Sequence, residues 1–409
     1  ILIIESTWFA IFLPFSILIL FLIRIIRPFL VIRLGYLISW RLGHYVGNTD
    51  MYLCERKNKI NTGSVKTIDL WFERTKSCNL QVNIMFRRVL NIYPRWMLHP
   101  VLILNNIVPG GEHNKIPDTL CNDRDIRNLT YNSHEVNKNV ANIIQFTNEE
   151  EKRGEVELLK MGINPNSKFV TLVVRDAAYL DDQKKENSSG VDWSHNNHRD
   201  TEIQNYILAA EELVKYGYYV IRMGAVVAKP MNSNNSMIID YAVNGMRTEF
   251  MDVYLGAKCE FCLSSGTGYD AIPSIFRRPK LTVNLSSIEY VHSFFLNDIT
   301  LFRKFKSINN KDFMSLKFII ESDFGGLARQ ESYLKNDIEL IENTPSEIRD
   351  AALEMILRIS GKWSDDWYDK EVQPIIESIY SKSKLNGQMQ SRFGTSFLRD
   401  NKYLLEPFL

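Results

Sequence analysis

Four short apolar runs, FVTLVV (Phe169 to Val174), YYVIRMG (Tyr218 to Gly224), CEFCLS (Cys259 to Ser264) and KLTVN (Lys280 to Asn284), alternate with stretches of helical apolar spacing. Continuous β-branched runs of this kind suit strands covered on both faces, since a strand with one wet side alternates polar and apolar residues. Between the first two runs, Thr201 and Gln204 read as a capping box. Ile203, Tyr206, Ile207, Ala210 and Val214 form one apolar stripe that Gly217 closes. Further helices are expected over 249–257 and 269–276. Strand–helix alternation needs crossover connections, and so predicts an α/β fold with a parallel sheet.

Upstream the pattern is less regular. HYVGNTDMYLCE (His44 to Glu55) and KTIDLWFE (Lys66 to Glu73) read as strands, and Leu80 to Leu90 has helical spacing. VLILNNIVPGGE (Val101 to Glu112) is an apolar run stopped by Pro109, Gly110 and Gly111, and the stretch from His113 to Asn139 reads as polar loop. A helix over Glu149 to Met161 ends at Gly162, and Asn164-Pro165-Asn166 then breaks the chain. This places a domain boundary at residue 165. The 409 residues suit two domains at roughly 100 to 200 residues each, expected over 41–165 and 166–385, with a C-terminal tail over 386–409.

Residues 1–40 are set apart by hydropathy. Ser6 to Ile23 is an uncharged run of eighteen residues, which as a helix spans about 27 Å against a bilayer core of about 30 Å. Arg24, Arg27 and Arg33 follow it directly. An anchor is expected, with these arginines among anionic headgroups and the bulk of the chain at the cytoplasmic face of the inner membrane. Pro14 and the further apolar stretch from Pro28 to Trp40 also admit an interfacial or re-entrant anchor, and a buried core helix is the remaining alternative.

Over the whole chain 49 Lys and Arg balance 48 Asp and Glu, a net charge of +1, which argues against a protein that coats nucleic acid by bulk electrostatics. Any anion site is therefore local. Five sparse cysteines (Cys54, Cys78, Cys121, Cys259, Cys262) favour a reducing compartment over a disulfide framework.

SSGTG (Ser264 to Gly268) follows a strand and precedes a helix. Glycines let a backbone approach a ligand, and the free N–H groups of a helix start attract an anion. The loop matches neither G-x-G-x-x-G nor the P-loop. Arg175-Asp176 follows FVTLVV, and Arg222 lies late in YYVIRMG. Arginine suits diphosphate because its planar fork makes bidentate contacts, although Arg175 and Arg222 also have Asp176 and Asp200 as prospective salt-bridge partners. WSHNNHRDT (Trp193 to Thr201) brings His195, His198, Arg199 and Asp200 before a helix start. Acid–base or phosphate-binding roles suit His198 and Arg199, and a solvated loop capping the helix is the plainer alternative. The two histidines lack further ligands at zinc spacing, Asp123 and Asp125 lie in the polar stretch, and no metal is expected. Cys259 and Cys262 are expected as buried thiols whose sulfurs point apart on a strand.

RLGHYVGNTDMYLCE, RDAAYL after a β-run, DWSHNNHRD, YGYYVIRMG, SSGTGYDAIPSIFRRP and the late RFGTSFLRDN together resemble a family of bacterial glycosyltransferases from surface-polysaccharide gene clusters. The resemblance runs from about Arg41 to the end of the sequence. It implies a GT-B-like fold of two Rossmann-like lobes facing a cleft, with a nucleotide-sugar donor held mainly by the C-terminal lobe and the acceptor by the N-terminal one. More distantly, VVRDAAYL is similar to a motif of GDP-fucose-dependent fucosyltransferases whose arginine contacts the donor diphosphate. Arg175 alone carries over. The chain has no His two residues before it and no second adjacent arginine, so the donor is left open.

These readings combine into a sugar transferase that moves a sugar from a nucleotide sugar to a surface-polysaccharide or lipid-linked glycan acceptor at a membrane surface, with no cofactor, metal or nucleic acid. Arg175, Arg199, Arg222, Ser265, Gly266, Thr267, Gly268 and Asp270 are the expected donor-binding residues, and Asp176 or His198 the catalytic base. An epimerase or hydrolase on the same scaffold, or a non-catalytic assembly subunit, is the alternative.

Overall fold

The computed structural model describes residues 2–59, 65–116, 143–187, 194–291, 297–383 and 391–408, with the backbone alone over 2–11 and 183–187. The chain forms two compact units, the first ending at Phe146 and the second resuming at Thr147.

The first unit contains α1 (Leu2–Ile25), β1 (Val31–Leu37), α2 (Leu42–Lys57), β2 (Thr67–Glu73), α3 (Leu80–Val89), β3 (Asn91–Ile92) and α4 (Arg95–Ile107). Its strands are parallel in the order β1-β2-β3. Leu20 and Ile23 of α1 join Leu98, Val101 and Leu102 of α4, Leu34 of β1 and Phe72 of β2 in one buried cluster. Residues 28–40 are therefore no extension of an anchor: they hold β1, which pairs with β2 along its whole length. Nor is His44 to Glu55 a strand. These residues lie in α2, which is buried on every side from Asn48 to Glu55, and so lacks the one-faced apolar stripe that marks a surface helix in sequence.

The three arginines after the apolar run are each bonded by the protein itself. Arg33 makes two bonds to the buried carboxylate of Asp69, at 2.7 and 2.8 Å, and Arg56 and Tyr52 donate to the same carboxylate. Arg24 donates to the carbonyls of Val108 and Pro109 and to Asn105 Oδ1, and Arg27 to the Gly110 carbonyl. Both cations thus sit at the C-terminal end of α4, where the helix dipole favours them. Among the described residues no helix is long and apolar enough to cross a membrane.

The second unit runs α5 (Asn148–Lys160), β4 (Phe169–Val173), α6 (Ala178–Asn187), α7 (Ile207–Lys215), β5 (Tyr219–Met223), β6 (Ile238–Ile239), α8 (Glu249–Lys258), β7 (Cys262–Ser264), α9 (Ala271–Ile275), β8 (Lys280–Leu285), β9 (Ile299–Phe302) and β10 (Lys304–Ser307). Then come α10 (Leu316–Glu321), α11 (Gln330–Lys335), β11 (Ile338–Ile341), α12 (Pro345–Ile359), α13 (Trp367–Tyr380), β12 (Arg392–Phe393) and α14 (Thr395–Asp400). Seven strands form a parallel sheet in the order β12-β9-β8-β7-β4-β5-β6. Every residue of β4 is buried, as its unbroken apolar run requires.

The domain boundary lies earlier than residue 165. Helix α5 belongs to the second unit, with Gly154 set against the Tyr254 ring of α8 and Glu151 paired with Lys258 at 2.8 Å. The tail expected over 386–409 is also part of this unit, because β12 adds to the edge of β9 and Phe393 and Phe397 pack edge-on against Phe302. The capping box expected at Thr201 and Gln204 does not form. Thr201 donates its hydroxyl to Glu342, and a 3₁₀ turn over Ile203–Tyr206 precedes α7. Cys259 caps α8 and β7 begins only at Cys262, so the two thiols do not share a strand.

Candidate functional site

The order of strands reverses between β4 and β7. From β4 the chain proceeds to β5 and β6 on one side, then returns to lay β7 and β8 on the other. At such a switch point the two loops leaving the carboxyl ends diverge and open a crevice for a ligand. Arg175 leaves β4 there, and Ser265 to Gly268 leave β7.

Backbone and side chains tie these loops together. The Ser265 N–H donates to the Val173 carbonyl at 3.2 Å, and the Arg175 N–H donates to Ser265 Oγ at 2.8 Å. Gly266 adopts φ +80, a left-handed conformation that glycine takes without steric cost. Its carbonyl accepts from Arg199 Nη2 at 2.6 Å. The 194–199 segment, a 3₁₀ turn, is thereby joined to the β7 loop. Asp200 pairs with Arg175 at 3.3 Å, and the Thr201 N–H donates to the Arg175 carbonyl at 3.1 Å.

Asp270 looks inward instead of toward a ligand. It accepts from Ser264 Oγ, from the Thr267 N–H and from Thr267 Oγ1. Thr267 in turn accepts from the Tyr269 N–H. These bonds hold the shape of the loop, and the N–H groups of Ser265, Gly266 and Thr267 are all engaged within the protein, on Val173, Ser264 and Asp270.

Two expected residues stand differently from their sequence neighbours. Arg222 is 1% exposed and donates to both oxygens of Asp240, at 3.0 and 3.2 Å, and to the Lys229 carbonyl. It fixes the segment after β5, and the structure does not bring it to the Arg175–Arg199 cluster. Asp176 accepts from the Ala178 N–H through one oxygen and from the Ala228 N–H through the other. It links the loops that leave β4 and β5.

His198 is 5% exposed and packs at a tilt against Tyr333, with ring centroids 5.1 Å apart. Its Nδ1 lies 3.1 Å from the His195 carbonyl. A carbonyl only accepts, so Nδ1 carries the proton and Nε2 keeps its lone pair. That Nε2 is buried with no hydrogen-bond partner among the described residues. Burial, then the charges of Arg199, Arg303 and Arg175, push the imidazole pKa down to about 4, against the opposing His195 bond. The ring is neutral at physiological pH. Asp200 moves the other way: burial raises its pKa, aided by Asp176 and opposed by the three arginines.

Arg303, which the sequence reading missed, is buried behind this cluster. It donates to the Asp200 carbonyl at 2.5 Å and lies 3.5 Å from Glu342. Like Arg175 it directly follows a buried apolar strand, here ITLF, and that parallel was the available signal. Asn284, after β8 has begun to unpair, donates to Thr201 and Tyr206 and exchanges bonds with the Asn343 backbone and side chain. The cationic ends of β4 and β9 and the 199–201 segment thus form one connected network.

Among the described residues no group of three or more His, Cys, Asp and Glu side chains is placed to hold a metal ion. Asp123 and Asp125 lie outside the described residues.

No family model and no curated protein matches the chain. Several solved structures are similar to it. A family 9 glycosyl transferase from Veillonella parvula is 10% identical, with a TM-score of 0.42 over 80% of this chain and 97% of that one. The ADP-heptose lipopolysaccharide heptosyltransferase II of E. coli is 12% identical, with a TM-score of 0.41 over 80% of this chain and 100% of that one. The S. aureus MnaA–UDP structure is 10% identical, with a TM-score of 0.28 over 89% of this chain and 100% of that one.

Proposed function

We propose that the chain is a GT-B-like glycosyltransferase that uses a nucleotide sugar and transfers the sugar to a surface-polysaccharide or lipid-linked glycan at the cytoplasmic face of the inner membrane. The observation that carries this is the meeting of Arg175, Arg199 and the Ser265-to-Gly268 loop at the switch point of a parallel sheet. A departing nucleoside diphosphate gathers negative charge as the glycosidic bond breaks. Fixed guanidinium groups stabilise that charge without reorganising. The motif resemblance supports the same reading.

In this proposal Arg175 and Arg199 hold the diphosphate against the backbone of 265–268. Arg303 adds positive potential from behind, and Thr267 and Asp270 keep the loop in shape. His198 is the proposed base for the acceptor hydroxyl. Its Nε2 lone pair is buried but without a hydrogen-bond partner among the described residues, and a bound diphosphate would offset the arginine charges that depress its pKa, making it a stronger base when donor is present. Asp176 is the alternative base, and Arg222 serves the fold.

The test is a thermal-shift screen of nucleotide sugars, because a true donor stabilises the folded state by mass action. The stabilising donor is then incubated with and without acceptor in excess EDTA. Release of nucleoside diphosphate only with acceptor is the expected result. Release without acceptor would mark a hydrolase, and binding without any turnover an assembly subunit. Loss of turnover restored by magnesium would mean that the arginines do not suffice.

A further inference from the structure

Helix α1 is apolar on both of its sides, and only one side is covered. Leu20 and Ile23 face α4 in the buried cluster. Phe15, Leu18, Phe21, Leu22 and Ile25 are each at least half exposed. At 3.6 residues per turn the exposed positions, with Ile17, occupy one arc of about 160°. The surface continues past the helix. Phe29, in the turn before β1, is 84% exposed, and on α4 Trp96 and Ile107 are exposed as well. Trp96 contacts Phe12 of α1, with ring centroids 5.1 Å apart, so the two helices present one face.

The charge bordering this face is mainly positive. Glu5 is the one acidic residue of α1; residues 6–49 contain no Asp or Glu, and neither do residues 74–111, which include α4. The same segments carry Arg24, Arg27, Arg88 and Arg95. The bonds that Arg24 and Arg27 donate to carbonyls do not neutralise their charge. An apolar face with exposed Trp, bordered by arginine and poor in carboxylates, is complementary to an anionic lipid surface.

We propose that the joint outer face of α1 and α4 seats the first unit in the interfacial layer of an anionic bilayer, with α1 lying along the surface instead of crossing it. The packing of α1 on α4 along its inner side argues for this mode, since a crossing helix would have to leave that cluster. The inference rests on the proposed membrane attachment and names its surface and geometry.

The test floats the purified full chain with vesicles of phosphatidylcholine alone or with one-third phosphatidylglycerol. Wild type is expected to float with the anionic vesicles, less so in high salt, and to be released by alkaline carbonate. Leu18→Glu with Leu22→Glu, and separately Phe29→Glu, should lower the bound fraction about tenfold or more while melting like wild type. Phe29 lies in an exposed turn, so its variant keeps the test alive if the helix pair fails to fold. Unchanged flotation of a folded variant would overturn the proposal, and carbonate-resistant binding would overturn the interfacial geometry in favour of a span. Failure to float, with self-association that the variants abolish, would assign the face to a second copy of the chain. None of these readouts involves sugar transfer, so donor-induced stabilisation separates failure here from failure of the transferase reading.

Discussion

Arg199 reaches across 67 positions of sequence to donate from Nη2 to the Gly266 carbonyl at 2.6 Å. That contact closes the gap between the histidine-rich segment and the loop after β7. It also keeps a cation beside the only positive-φ residue of that loop.

If the pair forms a diphosphate site, Arg199→Ala and Arg175→Ala should each weaken donor binding by about 1.5–3 kcal/mol, the range for a hydrogen bond to a charged group. Titration calorimetry with the stabilising nucleotide sugar measures this. Unchanged affinity in both would remove them from the site.

Gly266→Ala tests the loop without touching any charge. A Cβ there would find open space, with Arg199 Nη2 at 4.0 Å its nearest neighbour, so the cost is conformational. Holding alanine at φ +80 costs about 1–2 kcal/mol, and the loop is expected to relieve it by rotating the 266 carbonyl away from Arg199. Donor affinity should therefore fall further than melting temperature. Equal affinity with a lowered melting temperature would count against a binding role.

The stability of the second unit should depend on pH through His198. Its folded pKa, about 4, lies below the ordinary value of about 6.5. The unfolded chain thus binds the proton more readily. The contribution of the neutral ring is complete above pH 6.5 and is lost as pH falls through the window down to 4. Between pH 6.5 and 5 wild type should lose about 1.5 kcal/mol more than His198→Asn, as read by urea denaturation at the two pH values. Parallel losses would place the protonation elsewhere.

Arg222→Ala should act on folding and not on the donor. Removing one partner of a buried ion pair leaves Asp240 uncompensated, at a cost of about 3–5 kcal/mol. Denaturant midpoints should drop accordingly, while donor affinity measured well below the melting temperature stays near wild type. A folded variant with weakened donor binding would return Arg222 to the site.

Much of the second unit was legible because its strands are buried on both faces. FVTLVV has no polar residue but Thr171, and all of β4 is buried. The Ser264-to-Gly268 loop was legible for a related reason: glycines and hydroxyls between a strand and a helix have few structural uses. What escaped was set by distant partners. Arg222 looks like a ligand-seeking cation until Asp240 is seen beside it. Arg303 sits between β9 and β10 in a run whose lysines hide both strands. Tyr45, Val46, Thr49 and Tyr52 are β-formers by local preference, yet they lie in α2, a helix buried on every side from Asn48 to Glu55. Thr201 was read as a helix cap from its local spacing, whereas Glu342, on the far side of the unit in sequence, takes its hydroxyl.

The short pairing of Arg392 and Phe393 with Ile299 and Thr300 bears on how the second unit is made. β4 and β5 are neighbours in both sequence and sheet, and can zip as soon as both have left the ribosome. The outer side of β9, by contrast, stays an open row of hydrogen-bonding groups until translation has passed residue 393. During that interval the nascent sheet offers a template to any other extended segment. Its late closing partner gives the unit a high contact order, and with it a slow final step in folding.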